Sequence, residues 1–454
     1  MSDAQPSRFS QRVSRWLRPL VPLEAQEVAA VFWSFVYFFC LLGGYYILRP
    51  VRDEMGIIGG VENLQWLFTG TFVAMLAAVP LFAWVAARYP RRTFVPLVYY
   101  FFIANILIFY ALFKLDITDA VIARAFFIWT SVFNLFVVSV FWSFMADIYS
   151  TAQARRLFGF IAAGGSVGAI AGPGMTALIA PALGPINLLP VAAGVLALAL
   201  IAIHQLRDWD IHVAHDPGTA EQHENPIGGG ILTGVKKVIA SPYLIGIVGF
   251  ILFYTTLATF LYFQQAHLIE DAFSDSGQRT AVFAWIDFSV NALTIVGQVL
   301  ITHRLVTRFG VGVTLAFVPL VLLIGFASLA VAPILVVLLA VQVLRRAGNY
   351  ALTKPAREML FTVLDRESKY KSKNFIDTVV YRGGDAVAGW IFAGLMALGI
   401  GLGGVAAVAV PLAVGWIALA LWLGRRYEGN QDGQDSDTAR HKPAATAAEA
   451  NQEV

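Results

Sequence analysis

The sequence predicts an all-α membrane protein of twelve transmembrane helices in two pseudo-symmetric six-helix halves. Three observations carry that expectation. First, the 454-residue chain is 58% hydrophobic and 13% charged, with a mean hydropathy of +0.69; a soluble domain carries about a quarter charged residues. Second, its apolar residues fall in continuous runs of about 20, the length that crosses a hydrocarbon core about 30 Å thick. Third, the two halves echo one another at a nearly fixed shift. No single soluble core hides this much apolar chain, which excludes a soluble enzyme. A net charge of +3 is too small for a nucleic-acid binder. The single cysteine, Cys40, lies in an apolar run, so neither a disulfide framework nor a metal cluster is expected, and no cofactor motif stands out.

The apolar runs are 28–48, 66–87, 94–113, 120–146, 157–180, 186–206, 243–266, 281–301, 311–332, 334–353, 375–400 and 403–424. They do not alternate, which speaks against strands. Only Pro333 parts the ninth run from the tenth. Residues 1–26 read as a basic amphipathic arm on the membrane surface, because Arg8, Arg12 and Arg15 stand at helical spacing beside Phe9, Trp16 and Leu17. No apolar core or cleavage site follows them, so the arm is not expected to be a signal peptide. The polar stretch 207–242 is the linker between an N-terminal half, 27–206, and a C-terminal half, 243–426; the tail, 427–454, is expected to be disordered. With the N-terminus inside, cytoplasmic segments hold 26 of the 32 Lys and Arg residues. Both termini are therefore expected in the cytoplasm, and the membrane to be a bacterial inner membrane.

Internal similarity supports the halves. Arg88-Tyr89 and Arg308-Phe309 hold equivalent places, and a shift of 217 aligns Phe144 with Phe361, Arg156 with Lys373, Phe158 with Phe375 and Gly172 with Gly389. Two parallel six-helix repeats mark a major-facilitator-type transporter, with its binding site expected between them near the midplane. Gly164, Gly168 and Gly172 give the fifth helix one smooth face for close packing. The glycines at 228–230 lack the order of a phosphate loop, so energy is expected from gradients or exchange.

Each ionisable side chain at membrane depth costs about 2.5–3.5 kcal/mol unless it meets a partner or water. Arg49, Arg52 and Asp53 share one face at the end of the first helix, so Asp53 neutralises one arginine and leaves the other for a ligand. An interfacial collar is the plain alternative there. In the tenth helix Arg346, Tyr350, Lys354, Arg357 and Glu358 recur every three or four residues as one stripe. Guanidinium groups grip phosphate oxygens in a bidentate fork, so the stripe fits a multivalent anion. Asp377, Arg382 and Asp385 in the eleventh helix read as gating or coupling residues, with a structural Arg382–Asp385 pair as the bland alternative. Asp287, the lone acid of the eighth run, has no evident partner and reads as a coupling-proton site. His267, beside Glu270 and Asp271, reads as a rim residue.

The run from Val343 to Asp377, VLRRAGNYALTKPAREMLFTVLDRESKYKSKNFID, resembles without gaps a segment of the nucleotide (ATP/ADP) translocases of plastids and obligate intracellular bacteria. Leu48-Arg49 with Arg52-Asp53 is similar to the motif that closes their first helix. Phe141-Trp142-Ser143-Phe144 through Ala154-Arg155-Arg156 is similar to a second motif. The resemblance implies a twelve-helix carrier exchanging or importing nucleotides, with cationic positions of the first and tenth helices on the phosphates. On it, Arg52 stands at the family's lysine before aspartate, Arg346 at a lysine, and Arg357 with Glu358 at a lysine–glutamate pair. Lys369, Lys371, Lys373 and Asp377 match outright. The chain departs from the pattern at Lys354, where an aspartate is usual, at Asn349, where a lysine is usual, and near Asp385, also a lysine. It also has no acid in 125–146 and no charged residue in 244–266.

The leading expectation is a secondary active transporter for a phosphate-bearing anion, above all a nucleotide. Arg49, Arg52, Arg346, Tyr350, Lys354, Arg357 and Glu358 would bind it; Asp53, Asp287, Asp377, Arg382 and Asp385 would gate or couple. One rival is a proton-coupled carrier or exporter of another organic solute. The other is a membrane sensor that keeps the carrier body without transport.

Overall fold

The computed structural model describes residues 23–89, 91–115, 119–212, 231–364 and 366–441. The arm up to residue 22, linker residues 213–230 and the tail beyond 441 lie outside the described residues. All regular structure among the described residues is helical. The N-terminal half gives α1 (Val28–Ile58), α2 (Leu64–Arg88), α3 (Arg91–Lys114), α4 (Asp119–Ile148), α5 (Thr151–Leu183) and α6 (Leu188–His212). A short α7 (Ile231–Ala240) then leads to α8 (Pro242–Ala272), α9 (Ser276–Gly297), α10 (His303–Val331), α11 (Leu335–Gly348) and α12 (Lys354–Leu360). The chain continues through α13 (Arg366–Phe375), α14 (Tyr381–Ala397) and α15 (Leu402–His441). Three π-helical turns, Gln298–Thr302, Asn349–Thr353 and Ile376–Val380, join α9 to α10, α11 to α12 and α13 to α14.

Each of the twelve expected spans falls on described helix. Ser276–Val331 is a single apolar stretch of 56 residues. It holds two spans, because Gly310 breaks the helical path at φ +77°, a conformation that costs glycine little. Pro333 lies in the non-helical gap between α10 and α11. The eleventh span is the π turn Ile376–Val380 continued by α14. One expectation is corrected. The tail is not disordered from residue 427, since α15 runs on to His441; a helix already nucleated in the membrane extends at little cost. Large apolar side chains such as Leu178, Ile324 and Val331 face outward, as lipid, not water, demands. The chain is a multi-pass integral membrane protein.

By its contacts the chain divides into two units, one of Met1–Glu224 with Phe263–Ala292, the other of Asn225–Tyr262 with Leu293–Val454. The end of α8 and most of α9 therefore pack with the N-terminal helices. In the first unit α1 is the central helix. Phe38 stacks on Phe141 with ring centroids 4.1 Å apart, and Tyr37 meets Phe141 edge-on at 4.8 Å. The Phe-Trp-Ser-Phe motif of α4 is thus a packing surface for α1. Ser150 and Gln153 form a capping box that starts α5. Three residues further on, Arg156 grips Glu27, which is 1% exposed, through Nη1 at 2.7 Å and Nη2 at 2.5 Å. The second motif resembling the translocases therefore holds α1 twice, through α4 at Phe38 and through the start of α5 at Glu27. Its aligned counterpart, Lys373, likewise holds a carboxylate within its own unit, Glu358 at 2.5 Å.

The glycine face of α5 lies directly on α1. A Cβ at Gly164 would stand 2.5 Å from the Phe35 carbonyl oxygen, one at Gly172 2.5 Å from that of Gly43, and one at Gly168 would overlap the Phe39 carbonyl oxygen. The obstacle is backbone, which cannot swing aside. Gly168→Ala is accordingly expected to cost about 1–3 kcal/mol by overpacking. Gly194→Ala is the control: nothing lies within 4 Å of its Cβ position, and alanine favours helix by about 1 kcal/mol. Thermal denaturation of both variants checks the contrast; equal midpoints would refute the close approach.

The second unit is held by α10 against α15, where Gly312 and Gly424 let the backbones meet. Phe250 and Tyr254 of α8 pack on the fully buried Trp416 of α15, at 5.2 Å and 6.0 Å. The π turn at Asn349–Thr353 has a local cause. Pro355 carries no N–H, so the Ala351 carbonyl lacks its α-helical donor. Thr302 Oγ1 donates to it instead at 2.8 Å, and Gln298 Nε2 donates to the Tyr350 carbonyl at 3.4 Å. Both donors come from the π turn Gln298–Thr302, so two irregular turns satisfy one another.

Candidate functional site

The charged residues gather in two places, one per unit, and the two differ in balance. In the second unit, α11 and α12, joined by the π turn, carry Arg345, Arg346, Lys354, Arg357 and Glu358. The π turn Ile376–Val380 and α14 carry Asp377, Arg382 and Asp385. Five cations thus stand against three carboxylates. A narrow cleft, with room for about one water, is lined by Phe250, Ile251 and Tyr254 of α8, Asn349 and Thr353 of the π turn, Lys354 and Arg357 of α12, and Tyr381 of α14.

Each cation of this wall has a definite environment. Arg345, 6% exposed, donates from Nε to Gln342 Oε1 at 3.1 Å and from Nη1 to the Tyr254 hydroxyl at 3.3 Å. Its guanidinium also lies 5.9 Å from the Tyr254 ring. Both hydrogen-bond partners are neutral. Arg346 is 7% exposed. Lys354 sets its ammonium 4.7 Å above the Tyr350 ring, a cation–π contact and again a neutral one. Arg357 is paired with Asp377 at 3.1 Å and lies 3.8 Å from Glu358, whose other contact is Lys373. Arg382 and Asp385 stand 3.7 Å apart, the one-turn pair expected from their spacing. Tyr254 and Tyr381 approach to 5.8 Å, placing two aromatic faces beside the cations.

The first unit is balanced. Arg49, Arg52 and Arg279 meet Asp53, Glu54 and Asp287 in three pairs. Arg52 lies 3.7 Å from Asp53 and stacks over Phe127 at 4.1 Å. Arg49 reaches Asp287 at 3.6 Å. Arg279 forks onto Glu54, with Nε 3.0 Å from both carboxylate oxygens and Nη2 2.7 Å from Oε1. Its Nη1 donates to the Phe273 carbonyl at 3.0 Å and the Ser274 carbonyl at 3.3 Å. Glu54 is fully buried. This clamp ties the α8–α9 turn to the end of α1.

Two expectations change here. Asp287 has a partner, Arg49, supplied from 238 positions away and so invisible to local spacing. Of the second-unit residues expected to bind, Lys354 and Arg357 line the cleft with Asn349 and Thr353, while Arg346, Tyr350 and Glu358 are not among its lining residues. A π turn takes more residues per turn than an α-helix, which brings Asn349 into line with Thr353 and Lys354. Sequence reasoning missed Tyr254, Tyr381 and the Glu54–Arg279 clamp, and it left Arg345, a member of the same charged cluster, out of the binding set. The signal for Arg345 was present, since it adjoins Arg346, but the α-helical stripe passed it by. The rim residue His267 bonds through Nδ1 to the Phe263 carbonyl at 2.8 Å.

The model of the Major Facilitator Superfamily matches residues 31–356. ADP,ATP carrier protein 1 of Chlamydia muridarum (strain MoPn / Nigg) is 22% identical over 473 residues, covering 89% of this chain and 88% of that protein. ADP,ATP carrier protein 2 of Chlamydia pneumoniae is 22% identical over 514 residues, covering 94% and 93%. Among solved structures, the nucleoside transporter NupG aligns with a TM-score of 0.58 at 12% identity, over 88% of this chain and 98% of that one. A bacterial homologue of the iron transporter ferroportin aligns with a TM-score of 0.60 at 11% identity, with the same coverage.

Proposed function

The chain belongs to the Major Facilitator Superfamily, and from that premise we propose that this transporter moves a phosphate-bearing anion, a nucleotide first among them, by secondary active transport. The observation that carries the reading is the cation surplus of the second unit. Arg345 and Lys354 are held by neutral partners, and Lys354 stands with Arg357 in a cleft walled by Tyr254 and Tyr381. Buried positive charge of this kind is neutralised by a multivalent anion, and guanidinium with ammonium suits phosphate oxygens. Tyrosine faces suit a planar ring. The relatives named as ADP,ATP carriers favour the same substrate class. In this reading Arg346 adds to the phosphate contacts, while Asp377 and the Arg382–Asp385 pair exchange partners as the substrate comes and goes. The membrane is a bacterial inner membrane, with both termini in the cytoplasm.

A thermal-shift panel of the detergent-purified protein tests this. Ligand binding to the folded state adds RT ln(1 + [L]/Kd), about 2.7 kcal/mol at a hundredfold excess over Kd. ATP, ADP, other nucleotides and sugar phosphates are compared with uncharged nucleosides at fixed salt. Stabilisation by nucleotides and none by nucleosides is the expected pattern. Silence from every phosphate compound would remove the reading.

A further inference from the structure

The cleft of the second unit has the size and the donors of a halide site. We propose that it binds a single chloride ion, held by Thr353, Tyr254, Lys354 and Arg357, and that chloride competes there with the phosphate of the substrate. The chloride site stands on the geometry; the competition rests on the reading of the protein as an anion carrier.

Size comes first. The cleft has room for about one water, and a chloride ion is only slightly larger. Sulfate and phosphate need the walls to part further.

Charge comes second. The eight lining residues are two cations, four hydroxyl or amide side chains and two apolar ones, with no carboxylate among them. Asp377 offsets Arg357 at 3.1 Å. That leaves Lys354, set on the neutral Tyr350 ring, and Arg345, 6% exposed and bonded to the Tyr254 hydroxyl. A water in the cleft brings no charge against them, and a metal ion is repelled. A monovalent anion offsets them, and a buried cation is costly without such an offset.

The donors come third. Thr353 is 2% exposed, and its Oγ1 has no hydrogen-bond partner among the described residues. Helical threonines such as Thr176 and Thr314 donate that hydroxyl to the carbonyl four residues back. Thr353, at the end of the π turn, does not. A buried donor left unmade costs free energy, and chloride accepts it. Arg357 Nε is likewise buried without a partner among the described residues. The Tyr254 hydroxyl accepts from Arg345 Nη1 at 3.3 Å, so its own hydrogen is left to donate, and the charge behind it strengthens that donation.

The experiment uses the full-length protein in detergent, with sodium gluconate replaced stepwise by sodium chloride or bromide at fixed ionic strength. The denaturation midpoint of wild type is expected to rise with either halide and to saturate. Thr353→Val keeps the shape and loses the hydroxyl; it is expected to need about tenfold more chloride for half the effect, the worth of one charge-assisted hydrogen bond. Thr353→Ser restores the wild-type response. Ser328→Ala, whose hydroxyl serves its own helix on the exposed side, leaves it unchanged. Chloride NMR line widths need no variant: wild type broadens them, and bromide reverses the broadening. Calorimetry with ADP reads the competition, with apparent Kd rising about tenfold when chloride stands at about ten times its own Kd. A midpoint that never saturates, line widths indifferent to the protein, or a Thr353→Val protein that responds as wild type does overturns the site and leaves the anion-carrier reading standing. Chloride binding with an ADP affinity indifferent to chloride overturns the competition. Halide binding by a protein that no phosphate compound stabilises overturns the carrier reading and leaves the chloride site standing.

Discussion

Arg279→Ala is expected to lower the stability of the folded protein by about 3–5 kcal/mol, the usual result of stripping one partner from a buried ion pair. The cost arises on the glutamate side. Glu54 is fully buried and takes three short contacts from one guanidinium; alanine leaves its charge with neither water nor cation. The same change also removes the donor to the Phe273 and Ser274 carbonyls at the turn between α8 and α9. Glu54→Gln should cost less, because a neutral amide still bonds to Arg279. The double variant Arg279→Met with Glu54→Met should recover most of the loss, since a packed apolar pair often replaces a buried ion pair without penalty. Denaturation midpoints of the three variants decide the matter. An Arg279→Ala protein as stable as wild type would mean that the clamp does not hold in the membrane.

Arg357→Ala is expected to weaken ADP binding by about tenfold to a hundredfold, the worth of a charge-assisted hydrogen bond of about 1.5–3 kcal/mol. Arg345→Gln should have a similar effect, because it removes a buried cation whose partners are neutral. The contrast within one helix is the sharper test. Asn349→Ala, in the cleft, should weaken binding more than Tyr350→Phe, which keeps the ring beneath Lys354. Glu358→Gln should change affinity little, as that carboxylate is half exposed and faces Lys373. Calorimetric titration of the five variants reads the order. If Tyr350→Phe and Glu358→Gln prove the damaging pair, the α-helical stripe is right and the cleft is wrong.

The spans were legible because membrane thickness imposes a length on every apolar run. The glycine face of α5 and the Arg382–Asp385 pair were legible because both are periodic within one helix. What escaped was whatever depends on a second element. Asp287 looked solitary because Arg49 is 238 residues distant. Arg279 and Glu54 stand 225 positions apart, so neither points to the other until the first turn of α9 folds onto α1. The cleft-facing register was lost for a subtler reason. Pro355 is visible in the sequence, but the π turn before it is stabilised by Thr302 and Gln298 from elsewhere in the chain, and α-helical spacing cannot be corrected without knowing them.

The unequal ionic balance of the two units also has an electrical consequence. The first unit pairs three arginines with three carboxylates, whereas the wall of the second carries five cations against three. A membrane potential acts on each unneutralised charge with about 2.3 kcal/mol per 100 mV when that charge crosses the full field. An empty carrier bearing a net positive cleft is therefore drawn by an interior-negative voltage. A carrier whose cleft holds an anion of matching charge is indifferent to it. The step that resets the empty carrier would then be the one powered, or opposed, by the cell's voltage.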